Sequence, residues 1–130
     1  MQDRPTAGEL VEAVREFLEA EILPDLSDPR ARFRTLVAMN ALGILEREMT
    51  HEEALLQAEL ARLASLLPGE DPTPPGSLGE LKGRVADLNR TLARAIRDGQ
   101  VPEGALRALK QTGAEKLEVA SPRYLERNAR

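Results

Sequence analysis

The stretch Thr35-Leu36-Val37-Ala38-Met39-Asn40-Ala41-Leu42-Gly43-Ile44-Leu45 is interrupted only by Thr35 and Asn40, and it continues a helical pattern that begins at Phe33. A helix that is apolar on nearly every side has no face to offer water, so the stretch predicts the buried centre of a bundle. The chain has 130 residues. That is enough for one domain to bury roughly two-thirds of its unfolded surface without metal or disulfide support. The fold expected is all-α: a single-domain bundle over residues 1–130, with about five helices and a buried central second helix.

Working outward, caps and prolines set the helix boundaries. Upstream, Thr6-Ala7-Gly8-Glu9 is a capping box, and Leu10, Val14, Phe17, Leu18 and Ile22 recur at helical spacing until Pro24. Glu12, Glu16, Glu19 and Glu21 make an acidic outer face, read as solvated rather than as a dock for a basic partner. Asp28-Pro29 opens the central helix as N-cap and first-turn proline. Arg30, Arg32 and Arg34 then sit at the unfavourable end of the helix dipole and are expected to answer the acidic face of the first helix.

Downstream, Thr50-His51-Glu52-Glu53 reads as a second capping box, so a new helix is expected there, striped by Leu56, Leu60, Leu63 and Leu67. Residues 68–76 hold four prolines and form a stiff crossover loop within the domain. Ser77-Leu78-Gly79-Glu80 is a third capping box. Leu78, Leu81, Val85, Leu88, Leu92 and Ile96 follow at steps of three and four, the pattern of bundle packing, until Asp98-Gly99. Pro102-Glu103 opens the last long helix, whose expected stripe is Leu106, Leu109, Gly113, Leu117 and Ala120. A glycine inside a helix is unfavourable, so Gly113 and Gly43 are expected where another helix comes close. Ser121-Pro122 ends that helix before a short tail to Arg130, anchored by the lone Tyr124.

Composition excludes several kinds of chemistry. With no cysteine there is no disulfide, zinc thiolate or thiol nucleophile. A net charge of −4 argues against nucleic acid as partner. The polar start Met1-Gln2-Asp3 is not a secretory leader, and the longest apolar run is about half of a membrane span, so a cytoplasmic protein without membrane contact is expected. Glu48 and His51 match the Glu-x-x-His step of di-iron bundles, but His51 is the chain's one histidine and Thr50 reads as a helix start between them. No nucleophile, acid–base pair or phosphate loop can be placed, so no metal, cofactor or catalytic residue is expected. Arg84, Arg90, Arg94 and Arg97 form a basic strip, read as solvated rather than phosphate-binding.

Two residues remain as a candidate ligand site or polar core site. Asn40 places a carboxamide amid apolar neighbours, where an unpaired amide costs a few kcal/mol, so it either lines a pocket or fixes packing register. Arg47 lies seven residues on, on the same side, with Glu46 and Glu48 adjacent as ion-pair partners.

Arg4-Pro5-Thr6-Ala7, Glu9-Leu10 and Val14-Arg15-Glu16-Phe17-Leu18 resemble an uncharacterised bacterial family of small helical proteins, a domain of unknown function. So do Phe33 with Val37-Ala38-Met39-Asn40-Ala41-Leu42, Glu46-Arg47-Glu48, Ala95-Ile96-Arg97-Asp98-Gly99 and Lys116 through Tyr124. The family usually has arginine where this chain has Leu36, so any binding role of that position does not carry over. Its genes tend to lie beside those of acyl-CoA dehydrogenase-like proteins and kinases resembling aminoglycoside phosphotransferases. The resemblance therefore implies an association with acyl-CoA metabolism.

Three function hypotheses follow. The first is a non-enzymatic interaction module that binds a kinase-like or dehydrogenase-like partner, or itself as a homo-oligomer, through an apolar patch left open along the helix over 78–96. The second is a small-ligand binder for an acyl or phosphorylated metabolite near Asn40 and Arg47. An enzyme in its own right is the third and has the least support.

Overall fold

The computed structural model describes residues 4–128; the polar start Met1–Asp3 and the chain end Ala129–Arg130 lie outside the described residues. Among these the fold is all-α, with five α-helices and no strand: α1 (Ala7–Phe17), α2 (Pro29–Leu66), α3 (Leu78–Arg97), α4 (Ala105–Ala120) and α5 (Pro122–Asn128). They divide into two compact units, Met1–His51 and Glu52–Arg130.

In the first unit the expected caps form. The Thr6 hydroxyl accepts from the Glu9 N–H at 3.2 Å, and the Asp28 carboxylate accepts from the Ala31 N–H at 3.2 Å. Past Phe17 the chain widens into a π-turn, Leu18–Ile22, then tightens into a 3-10 turn, Leu23–Asp25, at Pro24. The Arg32 guanidinium donates to the carbonyl of Leu23 at 2.9 Å, tying this turn to the start of α2. The half-buried residues of the α1 segment include Gly8, Val11, Arg15, Leu18 and Ile22, and those of α2 include Ala31, Thr35, Met39, Leu42 and Glu46. Each set lies on one helix stripe. Arg15 Nε bonds Glu46 Oε2 at 3.1 Å across the two stripes, so these are the facing sides of a helical hairpin.

Two expectations about this region are corrected. Thr50 starts no helix: α2 runs uninterrupted through it, and its hydroxyl donates to the Glu46 carbonyl one turn back at 2.9 Å. A threonine satisfied in this way is tolerated inside a helix, and neither proline nor glycine precedes it closely enough to break the chain. The run 35–45 is also not buried. Leu36, Val37 and Leu45 are exposed, and no residue from Arg4 to His51 is buried. One short neighbouring helix covers one stripe of α2, and the other apolar sides stay open.

The second unit has the core. Leu60, Leu63 and Leu67 at the end of α2 pack with Leu81, Val85, Leu88 and Leu92 of α3 and Ala105 of α4, flanked by Leu56 and Leu66. These are the α2 and α3 stripes expected from spacing. Ser77 caps α3 by accepting from the Glu80 N–H at 3.2 Å, and Gly99 ends it with φ +78. Residues 68–76 form a helix-free crossover. There the Asp71 carboxylate accepts from the Thr73 N–H at 2.9 Å, and this bond, with the Thr73 hydroxyl, holds its pKa below the usual value.

α4 is turned from its expected orientation. Its most covered side runs through Ala105, Ala108, Thr112, Glu115 and Val119; of the expected stripe Leu117 is half-buried, while Leu106 is 67% exposed and Leu109, Gly113 and Ala120 are exposed. The cause is Arg62 of α2, which draws Glu115 inward. Neither glycine marks a close helix approach: a Cβ at Gly113 would meet nothing, and one at Gly43 would meet only the Arg47 side chain.

These differences can be measured by urea unfolding. Thr50→Ala removes no cap, so stability should hold or rise by up to about 0.5 kcal/mol, whereas loss of an N-cap threonine costs about 1 kcal/mol. Leu88→Ala should cost about 2–5 kcal/mol as a core truncation, and Leu106→Ala should stay within about 0.5 kcal/mol.

Candidate functional site

Asn40 is exposed, so its amide meets water and needs no protein partner; the expectation of a buried carboxamide is corrected. Arg47 is half-buried, and its guanidinium passes Gly43, at 3.4 Å from where a Cβ would stand. Glu46 is engaged with Arg15. Because α2 is continuous, Glu48 and His51 do share one helix, both exposed. Among the described residues no group of three or more His, Asp or Glu side chains could hold a metal ion.

What Asn40 belongs to is a stripe. Phe33, Leu36, Asn40, Gly43 and Arg47 follow one another at steps of three and four, with Val37 and Ile44 alongside, on a side of α2 turned away from the Ala31–Thr35–Met39–Leu42–Glu46 side that meets α1. Phe33 is 66% exposed, Val37 52% and Leu36 46%. On α1, Leu10, Val14 and Phe17 form a second open stripe beside the covered one. Large apolar side chains standing open in series, rather than scattered, are what mark an interaction surface. The sequence held the signal: the run 35–45 is apolar nearly all round, and among the described residues before it the eleven-residue α1 and its turns supply the cover.

Polar groups in the second unit have a different character. Arg62 grips Glu115 through two bonds, 2.9 and 2.7 Å, and also donates to the Thr112 hydroxyl at 3.0 Å. Glu59, buried on α2, accepts from the Asn89 amide at 3.0 Å, and the same amide donates to the Val85 carbonyl at 3.1 Å. Lys82–Glu52 and Arg84–Glu70 close at 2.7 and 2.8 Å, and Arg90 pairs with Asp87. These groups bind one another across α2, α3, α4 and the crossover, and such pairing orients helices. Two of the four arginines of the basic strip, Arg84 and Arg90, are thereby committed to carboxylates. Interior Nε of Arg62 has no hydrogen-bond partner, a cost of turning the fork toward Glu115. The exposed stripe that spacing suggested on α3 is instead the core of this unit; only its ends, Leu78 and Ile96, are open. A shallow depression of about 750 Å³ lies at the start of α4, lined by residues 101–107, Lys110 and Gln111, and does not include Asn40 or Arg47.

Among known families, the one described as "Domain of unknown function (DUF6285)" matches residues 24–124. No curated protein and no solved structure matches the chain.

The role of the Arg62 fork is checked by a double-mutant cycle in urea. Glu115→Ala should cost about 2–3 kcal/mol by leaving a guanidinium without its carboxylate in a nearly closed site. Replacing both Arg62 and Glu115 by leucine should cost less than the two single changes together.

Proposed function

Because this chain belongs to the DUF6285 family, whose function is unknown, membership brings no activity with it, and we propose from the chain's own surface that it is a non-enzymatic interaction module docking through its N-terminal unit. The observation that carries this reading is that no residue from Arg4 to His51 is buried, while Leu10, Val14, Phe17, Phe33, Leu36 and Val37 stand open. Burying such surface is worth roughly 25 cal/mol per Å², so each half-open side chain is stabilisation that a partner can claim. The ligand-binding alternative placed a pocket near Asn40 and Arg47. Asn40 lies instead on the open stripe, where it acts as a polar mark within a docking face.

Candidate partners are a second copy of the chain or the kinase-like and acyl-CoA dehydrogenase-like proteins suggested by the family resemblance. An accessory role in acyl-CoA metabolism is the corresponding proposal, with the cytoplasm as its setting. Among the described residues, no helix is long and apolar enough to cross a membrane.

The test is capture from native lysate with the tagged full-length chain, alongside Leu36→Glu, whose fold is checked by circular dichroism. The native chain should bring down a stoichiometric partner, counting an untagged second copy, and Leu36→Glu should lose it. Capture of nothing, or equal capture by Leu36→Glu, would sink this reading.

A further inference from the structure

We infer that the occupant of the α2 stripe is the same stripe of a second copy, packed antiparallel about a two-fold axis at Asn40; this rests on the reading of the N-terminal unit as a docking surface. Three features of α2 point to a copy of itself.

The first is the polar residue at the centre. Asn40 is exposed within a stripe that has exposed Phe33, Leu36 and Val37 before it and half-buried Ile44 after it. A carboxamide both donates and accepts, so two asparagines facing each other across a two-fold axis satisfy one another, and a single asparagine at such a position is a known device for fixing helix register. No apolar surface of another kind would meet that need.

The second is the match of side chains about that residue. An axis at Asn40 sets Leu36 against Ile44 of the second copy, both four residues from the axis. Phe33 is 66% exposed in the single chain.

The third is charge. The open flanks of α2 carry Arg30 and Arg34 at one end and Glu48 at the other. Arg30 and Glu48 are about five full turns apart and so project from the same side of the helix. Both are exposed, and neither has an ion-pair partner among the described residues. Antiparallel pairing brings Arg30 of each copy to Glu48 of the other, twice over by symmetry. In a parallel pair Arg30 and Glu48 would stay at opposite ends and could not meet, so the charge pattern selects the antiparallel arrangement.

Sedimentation equilibrium of the full chain over a range of concentrations tests this, with circular dichroism confirming that every variant stays helical. The native chain should reach twice its 14.3 kDa mass. Leu36→Glu and Arg30→Glu should each weaken association by roughly tenfold or more, and Arg30→Glu combined with Glu48→Arg should recover most of the loss by restoring opposite charges. A native chain that stays monomeric overturns the inference, as does a dimer indifferent to Leu36→Glu. A dimer that the charge exchange fails to rescue overturns the antiparallel register. If the monomeric chain still captures another protein through Leu36, the interaction-module reading stands while this one falls.

Discussion

A helix that is apolar on several sides needs more cover than one neighbour can give, and α2 carries that constraint through its whole length. An amphipathic neighbour covers a stripe of roughly 100°. In the N-terminal unit α1 supplies one such stripe, and Leu36, Val37 and Phe33 point elsewhere. In the C-terminal unit the end of α2 has both α3 and α4 beside it, and Leu60 and Leu63 are sealed at 0% and 4% exposure. The same helix is therefore half-dressed in one unit and fully packed in the other. The difference lies in the number of neighbours: the more apolar segment, 35–45, has the fewer.

The packed unit shows how a polar pair can decide a helix's rotation. α4 had a plausible apolar stripe, yet its covered side contains Thr112 and Glu115. Desolvating a carboxylate is costly unless a cation meets it with good geometry, and the two-pronged approach of Arg62 supplies that geometry. Once Glu115 turns in, Leu106 and Leu109 must turn out, because all sit on one rigid cylinder. Glu59 and Asn89 work in the same way between α2 and α3, binding across the helices where leucines would slide. The fold thus gains orientation from groups that contribute little net stability.

Local signals were legible in the sequence. Thr6, Asp28 and Ser77 cap where their spacing says, Pro24 and the prolines of 68–76 end helices, and the leucines of α3 form the core their period implies. What could not be read was whatever depends on a distant partner. Thr50 carries the residues of a cap, but capping competes with helix continuation, and Glu46 through Met49 favour continuation. Glu115 falls off the apolar stripe expected for α4, and Arg62, the partner that meets it, lies fifty-three residues back. The candidate site divides along the same line: Asn40 was visible as an anomaly, while its exposure depended on how few helices surround it.

That exposure changes what Asn40 means. In a closed core it would be a debt to be settled inside the chain; on an open stripe it is a condition imposed on whatever binds. An apolar partner without a matching amide would have to strip water from Asn40 and return nothing, at a cost of a few kcal/mol. A partner shifted by one turn would strand two such groups. An asparagine in an otherwise apolar face therefore lowers affinity for every partner but raises the ratio between the right one and the rest. Arg30 and Glu48, on one flank at opposite ends, add the same kind of discrimination by sign. Together they would favour one register over tight binding, and the proposed antiparallel pair of α2 helices would supply an amide for Asn40 and opposite charges for Arg30 and Glu48.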